Sequence, residues 1–127
     1  MNRWLLHGAI IGFVGVAMGA FGAHALKKHF LEAPDLGAIY QTGSEYALVH
    51  AVVLLVVGVL SQKNPSKVIS VAGWAFTFGC IVFSGTLWLL AIFDIRWLGA
   101  ITPIGGLSLL VGWVGLMLAA RSSKTTL

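Results

Sequence analysis

The side chains that could do chemistry in this sequence are few, and they are imidazole, carboxylate and hydroxyl groups. Seven of them fall within or beside long apolar segments: His24, Glu45, Tyr46, His50, Ser84, Thr86 and Thr102. Ionisable groups in apolar segments of membrane-spanning length are costly, and they often hold a polar solute, pass a proton or bind a metal ion. Such groups also stabilise helix contacts by hydrogen bonding, so a structural role stands beside each functional one.

Two of these side chains, Glu45 and His50, bear most directly on a functional site. Tyr46 and His50 lie at i and i+4 and share one face of a helix, whereas Glu45 precedes His50 by five residues and is rotated away from it. We therefore expect His50 to bond Ser84, Thr86 or a backbone carbonyl and to hold the helices in place. Proton handling or ligand binding is the alternative.

His24 and His50 raise a third possibility, because imidazoles from neighbouring helices can bind a metal ion or haem. The sequence has no pair of histidines at i and i+4, no haem-attachment motif and one cysteine, Cys80. No metal site and no cofactor is therefore predicted. His24 is better explained as a basic residue near a helix C-terminus, where it meets free carbonyl groups.

The last candidate is the segment Thr102-Pro103-Ile104-Gly105-Gly106. A helix N-terminus with two glycines could receive an anionic group. Thr102 as an N-cap, with Pro103 as the first helical residue, explains the same pattern without a ligand, and we favour that interpretation. The sequence contains no phosphate loop, nucleophile elbow or paired carboxylates, so we expect a protein that is not an enzyme.

The elements that carry these residues are predicted to be membrane-spanning helices. Of the 127 residues, 58% are hydrophobic and 9% are charged, against about 25% charged in soluble domains. We expect one domain, 1–127, with spans at about 4–25, 44–61, 68–93 and 98–120. The predicted fold is all-α, a bundle of four transmembrane helices with a short interfacial helical segment between the first and second.

The second helix is expected to begin well before its apolar run. Pro34 followed by Asp35 is typical of a helix start, with Asp35 as the cap. Four residues that follow share one face at helical spacing: Leu36, Ile39, Tyr40 and Gly43. The pattern therefore predicts a long helix that enters the bilayer obliquely.

Small residues form stripes on three of the predicted helices. In the first span the stripe comprises Gly8, Gly12, Gly15, Gly19 and Gly22, in the third Ala72, Ala75 and Gly79, and in the fourth Gly105, Gly112 and Gly115. Small residues let helices in a bilayer approach closely, and a period of about 3.5 residues keeps the contact aligned along a left-handed crossing. We therefore expect the first and fourth spans to pack together, or the stripes to join copies in a homo-oligomer.

Basic residues predict how the chain is oriented in the membrane. One side carries Arg3, Lys63, Lys67, Arg121 and Lys124, and the other carries Lys27, Lys28 and Arg96. Both termini are therefore expected on the cytoplasmic side of the cell membrane or inner membrane. Because these residues stand singly or in pairs at the ends of spans, the net charge of +4 does not indicate nucleic-acid binding. The expected partners are the lipid bilayer and either a second copy or another membrane protein.

Several motifs occur together in this chain: Gly19-Ala20-Phe21-Gly22-Ala23-His24-Ala25-Leu26, Tyr46 with His50-Ala51, Phe83-Ser84-Gly85-Thr86-Leu87, and Thr102-Pro103-Ile104-Gly105-Gly106 with Gly112-Trp113. On these residues the chain resembles the YgdD/YwdK-type membrane proteins, known as domain of unknown function 423. The resemblance covers essentially the whole chain and implies a small, four-helix, multi-pass protein of the cytoplasmic membrane without a settled activity. Thr86 and Trp88 depart from the pattern, because Ser and Tyr are expected there in many relatives.

These observations favour a multi-pass membrane protein that is not an enzyme and acts through helix–helix contacts with itself or with a membrane partner. The alternative is a carrier or binding protein for a small solute or a proton, with its polar site near the outer face. A bis-histidine haem or metal protein is the third hypothesis.

Overall fold

The computed structural model describes residues 1–122, and its regular secondary structure there is helical. The elements are α1 (Arg3–His24), α2 (Lys27–Glu32), α3 (Pro34–Lys63), α4 (Lys67–Phe93), a 3₁₀ turn (Arg96–Ala100) and α5 (Thr102–Ser122). Four helical stretches are long and apolar enough to cross a bilayer, namely α1, α3, α4 and the 3₁₀ turn together with α5. The predicted all-α fold with four membrane-length helices is confirmed, and the short α2 lies between the first two.

Side-chain caps fix the starts of two of these helices. The Asn2 carboxamide oxygen accepts a hydrogen bond from the backbone N–H of Leu5 at 3.2 Å, and its nitrogen donates to the Gly58 carbonyl at 3.0 Å. The Ser66 hydroxyl accepts from the N–H of Ile69 at 3.1 Å. Both caps satisfy N–H groups that the helix leaves unpaired, and Asn2 also ties the start of α1 to the end of α3.

Helix α3 begins ahead of its apolar run, as expected, but Asp35 is not its cap. Ala33 occupies the cap position without a side-chain hydrogen bond, and Pro34 opens the helix. Proline suits this position because the N–H that it lacks would have no helical partner there. Asp35 instead forms an ion pair with Arg96 at 2.9 Å, which joins the start of α3 to the turn before α5.

The prediction of Thr102 as an N-cap is wrong as well. Thr102 lies inside the first turn of α5, and its hydroxyl oxygen is 3.2 Å from the Leu98 carbonyl. The 3₁₀ turn supplies the reason, since the N–H of Ile101 bonds Leu98 and the N–H of Ile104 bonds Ile101. Backbone hydrogen bonds therefore run continuously from the turn into the helix, and no side-chain cap is needed.

The spanning helices pack in the order of the chain, with α1 on α3, α3 on α4 and α4 on α5. A Cβ on Gly8 of α1 would lie 2.7 Å from the Ala51 carbonyl of α3, and a Cβ on Gly105 of α5 would lie 2.9 Å from the Gly79 carbonyl of α4. The expectation that the first and fourth spans pack together is therefore wrong. Helix α4 presents its own small-residue stripe to α5, and the short connection between them makes the two helices antiparallel neighbours.

The predicted packing glycines differ in how closely they are packed. Six of them are buried against a neighbouring helix: Gly8, Gly15 and Gly22 against α3, and Gly105, Gly112 and Gly115 against α4. A Cβ on Gly12 would make an ordinary contact, 3.6 Å from the Ala51 Cβ, and a Cβ on Gly19 would meet no atom within 4 Å. Gly19 therefore does not belong to the α1–α3 contact.

Two clusters of buried side chains hold the elements together. The larger one lies where the four spanning helices meet, with Leu54, Val57 and Phe76 fully enclosed. The smaller one joins the start of α3 to the end of α4 around Tyr40 and Leu90, with contributions from α2 and the 3₁₀ turn. The second cluster positions α2 against the end of α1, where a cleft opens between them and α3.

Candidate functional site

His50 lies midway along α3 and is 4% exposed. Its Nδ1 is 2.8 Å from the Tyr46 carbonyl, and its Nε2 is 3.2 Å from Nε1 of Trp113 on α5. A carbonyl only accepts and an indole N–H only donates, so the ring must be neutral with its proton on Nδ1. Tyr46 stacks on His50 and packs beside Phe83, with ring centroids 5.8 Å and 4.5 Å apart respectively.

Ser84 joins α4 to α3 and does not reach His50. Its hydroxyl donates to the Gly43 carbonyl at 2.7 Å. A Cβ on Gly43 would lie 3.3 Å from the Ser84 carbonyl, so glycine allows the close approach. Nearby, the Trp88 indole donates to the Ser44 hydroxyl at 3.0 Å. Trp88 thus provides a second polar link between the same helices. The family resemblance leads us to expect tyrosine at this position in many relatives.

Thr86 and Thr102 form the corresponding link between α4 and α5. Their hydroxyl oxygens are 2.7 Å apart, so one of the two hydroxyls donates to the other, and the Thr86 oxygen also lies 2.7 Å from the Val82 carbonyl. Within residues 1–122, every buried side-chain nitrogen and oxygen has a hydrogen-bond partner. Three buried candidates, His50, Ser84 and Thr102, and the half-buried Thr86 therefore act as polar ties between helices.

His24 and His50 do not come together. His24 is the exposed last residue of α1, and Gly22, two residues earlier, packs on Tyr40 of α3. Tyr40 precedes His50 by ten residues, which is about 15 Å of helix. The two imidazoles are therefore too far apart to bind one iron or zinc ion, and residues 1–122 contain no group of three or more His, Cys, Asp or Glu placed to hold a metal.

Glu45 is the predicted site residue that borders an open cleft. The cleft has a volume of about 370 Å³ and lies between the end of α1, α2 and the first half of α3. Its lining includes Gly19, Phe30, Tyr40, Gln41 and Glu45, and no Lys, Arg or His contributes to it. The Glu45 carboxylate accepts a hydrogen bond from the Gln41 amide at 3.3 Å. Gln41 was not among the predicted site residues. Its i, i+4 spacing from Glu45 is the feature of the sequence that places the two side chains on the same face of α3.

A second polar group, which the sequence reasoning did not select, lies near the opposite end of the molecule. His7 Nδ1 is 3.0 Å from the Thr77 hydroxyl, and that hydroxyl donates to the Gly73 carbonyl at 2.8 Å. His7 must therefore donate from Nδ1. The Trp4 and Trp74 rings pack edge to face at 5.2 Å beside it, so the group joins α1 to α4.

Arg96 organises the charges at the end of the molecule that carries α2. It pairs with both Asp35 and Asp94, and these groups are exposed and lie outside the predicted spans. The hydrogen bond from Arg96 lowers the pKa of the Asp35 carboxyl below its usual value. Asp35 therefore remains ionised at a lower pH than a free aspartate does.

Helices α1 and α4 also border an apolar groove of about 270 Å³ whose floor includes Ala47 of α3. Ile10 and Val14 of α1 line one side, and Ile81 and Gly85 of α4 line the other. A Cβ on Gly85 would meet no atom within 4 Å. The groove and the cleft beside Glu45 are thus separate openings on the molecule.

The amino-acid sequence that forms these helices and openings can be compared with those of known proteins. A family model described as "Protein of unknown function (DUF423)" matches residues 18–106. The chain belongs to this family. No solved structure matches it.

Curated relatives of this DUF423 protein are named as membrane proteins. The UPF0382 membrane protein YwdK of Bacillus subtilis is 37% identical over 94% of this chain and 97% of its own length. The UPF0382 inner membrane protein YgdD of Escherichia coli is 39% identical over 94% of this chain and 90% of its own length. A UPF0382 membrane protein of Staphylococcus epidermidis is 38% identical over 94% of this chain and 95% of its own length. With four apolar helices, the DUF423 chain is a multi-pass membrane protein.

Proposed function

We propose that this protein works without catalysis and associates laterally in the membrane, with itself or with another membrane protein. The observation that carries the proposal is the apolar groove between α1 and α4. Most of the glycine stripes are engaged inside the molecule and offer little to a partner. At the groove the helix surface is concave, apolar and open beside Gly85, a glycine at which a Cβ would meet no atom within 4 Å.

Helix association in a bilayer depends on close van der Waals packing, because lipid tails are as apolar as leucine side chains. At one end α1 and α4 touch through Trp4 and Trp74. Beyond that contact the groove separates them, with Ile10 and Ile81 more than half exposed at its edges. A helix from a partner laid along this groove would contact both edges and the bare backbone at Gly85.

The interior supports this proposal over a carrier of protons or small solutes. The polar groups of His50, Ser84, Thr86 and Thr102 form hydrogen bonds between α3, α4 and α5. Within residues 1–122, every buried side-chain nitrogen and oxygen has a hydrogen-bond partner in the chain. A carrier that used these groups would have to break contacts that hold α3, α4 and α5 together. The family and the names of the relatives give no enzyme activity, which fits a protein without catalysis.

The test is subunit counting by single-molecule photobleaching, together with co-purification, after mild extraction into native-lipid nanodiscs. We expect the wild type to contain a second copy or a reproducible membrane partner. Ile81→Trp, at the edge of the groove, should sharply reduce the associated fraction. Leu110→Trp on α5 is the matched control, since Leu110 and Ile81 are 61% and 62% exposed. A wild type that is monomeric and without partner, or equal effects of the two variants, would contradict the proposal.

We also propose that both termini face the cytoplasm. Arg3, Lys63, Lys67 and Arg121 lie at one end of the spans, and Lys27, Lys28 and Arg96 lie at the other. The excess of basic residues supports the first end as cytoplasmic; Lys124, which adds to it, lies outside the described residues. A phosphatase fused after Leu127 should be inactive and a fluorescent protein fused there should fluoresce, whereas the reverse pattern would contradict this orientation.

A further inference from the structure

The cleft beside Glu45 has the size and the lining of a ligand site. Its volume of about 370 Å³ lies in the range of small-molecule pockets, about 300–1,000 Å³. Glycines shape it: a Cβ on Gly19 would meet no atom within 4 Å, and the absence of a Cβ on Gly22 makes room for the Tyr40 ring. Phe30 packs on Tyr40 with ring centroids 5.0 Å apart, so two aromatic rings contribute to the wall.

The charges around the cleft favour a cation. All four acidic residues, Glu32, Asp35, Glu45 and Asp94, lie at this end of the molecule. Asp35 and Asp94 are both paired with Arg96. Glu45 bonds a neutral amide, and no basic side chain lines the cleft. Glu32 and Glu45 are therefore the carboxylates without an ion pair within residues 1–122, and of these two only Glu45 borders the opening.

Hydrogen-bonding capacity leads to the same conclusion. The Glu45 carboxylate only accepts. The Gln41 amide donates one N–H to Glu45, which leaves one N–H donor and the carbonyl oxygen as an acceptor. The Ser44 hydroxyl already donates to the Tyr40 carbonyl and accepts from Trp88. The tyrosine hydroxyl donates to the Met18 carbonyl. The polar groups of the lining thus offer a ligand mainly acceptors and negative charge, which suit an ammonium group. The two aromatic rings beside them suit an apolar part of the same ligand.

We propose that this cleft binds an ammonium group carried by an amphiphile, with Glu45 as the counter-charge and Phe30 and Tyr40 beside the apolar part. An aminophospholipid headgroup and a free amphiphilic amine share this chemistry. The site goes beyond lateral association and does not depend on it, because the groove between α1 and α4 shares no lining residue with the cleft.

Two measurements on the full-length protein test the site. Native mass spectrometry after extraction from nanodiscs with equal phosphatidylethanolamine and phosphatidylglycerol measures which lipid stays bound. Thermophoresis of the protein in detergent compares hexylamine with hexanol, which lacks the ammonium group. We expect a preference for phosphatidylethanolamine, for hexylamine, or for both. A preference in the first measurement alone identifies a lipid headgroup, and in the second alone a free amine.

Three variants connect the binding to the cleft. Glu45→Gln removes the charge and keeps the shape, and Gly19→Leu adds a side chain at a position where a Cβ would meet no atom within 4 Å. Each should weaken the preference about tenfold or more. Glu32→Gln is the matched control, since it removes a carboxylate at the same end that does not line the cleft, and it should bind as the wild type does.

Two results would overturn the proposal. One is a wild type that prefers neither ammonium ligand. The other is undiminished binding by folded Glu45→Gln or folded Gly19→Leu, with folding judged by helical circular dichroism. If Glu45→Gln does not fold, Gly19→Leu decides the question, since a Cβ at Gly19 would meet no atom within 4 Å.

Discussion

His50 illustrates how a membrane protein can bury an ionisable side chain without using its charge. Its two ring nitrogens face one obligate acceptor, the Tyr46 carbonyl, and one obligate donor, the Trp113 indole. Only the neutral ring with Nδ1 protonated satisfies both partners. The residue therefore connects α3 to α5 in a single protonation state.

Trp113→Phe removes the donor to His50 and retains an aromatic ring. We expect it to lower the free energy of unfolding by about 1 kcal/mol, because a buried acceptor loses its partner. Trp97→Phe is the control, since Trp97 is 67% exposed, and it should change stability little. Unfolding in mixed micelles measures the stability of both variants. In the wild type, ¹⁵N chemical shifts should show His50 protonated on Nδ1. An Nε2-protonated ring or equal stability losses would contradict this account.

The sequence predicted that a hydrogen bond would hold His50, but it did not show which group would form that bond. A backbone carbonyl is indeed one partner, whereas Ser84 and Thr86 bond Gly43 and Thr102. Periodicity shows which residues share a face of one helix, and it does not show how the next helix is rotated. Trp113, the other partner, reads in the sequence as an apolar residue for the core or the lipid.

At the level of helices, the contact between α4 and α5 depends on backbones that approach closely. A Cβ on Gly105 would lie 2.9 Å from both the Gly79 carbonyl and the Cα of Phe83, and neither group can move without shifting α4. A Cβ on the adjacent Gly106 would lie 3.7 Å from the Phe83 ring, which is an ordinary contact. Two neighbouring glycines thus have different roles.

Gly105→Ala should therefore destabilise the protein by about 2 kcal/mol, as overpacked cores do. Gly106→Ala should be neutral or stabilising by up to about 1 kcal/mol, because alanine favours a helix more than glycine does. Unfolding in mixed micelles compares the two directly. If both variants lost the same free energy of unfolding, Gly105 would not be needed for the close approach of α4 and α5.

The small-residue stripes themselves could be predicted from the sequence, and their partners could not. The stripes of α1 and α5 share a period, so they match each other as well as they match any third helix. In the structure α5 meets Ala72 and Gly79 of α4, and α1 meets Ala47, Ala51 and the flexible Leu48 of α3. Small residues recur on α3 at Gly43, Ala47 and Ala51, but Leu48 and Leu55 of the same helix also meet α1, so this stripe does not by itself identify α3 as the partner.

For the whole molecule, composition and hydropathy predict four membrane-length helices and the short α2 between them. The openings on the surface could not be predicted, because they depend on which helices diverge. Packing in chain order leaves α1 and α4 in contact near Trp4 and Trp74 and separated by the groove farther along. The order of the helices is therefore the claim on which the proposed partner surface rests.

Disulfide formation between paired cysteines in native membranes, in a Cys80→Ala background, tests that order most directly. Gly12→Cys with Ala51→Cys places the Cβ atoms 3.6 Å apart, within the separation of about 3.5–4.5 Å in disulfides. Ala72→Cys with Gly115→Cys places them 3.0 Å apart, so α4 and α5 must separate slightly for the bond to form. We predict efficient cross-linking within one chain for both pairs and little for Gly12→Cys with Gly115→Cys. Efficient cross-linking of that last pair, with failure of the Gly12 and Ala51 pair, would show that α1 packs on α5 and would contradict the account.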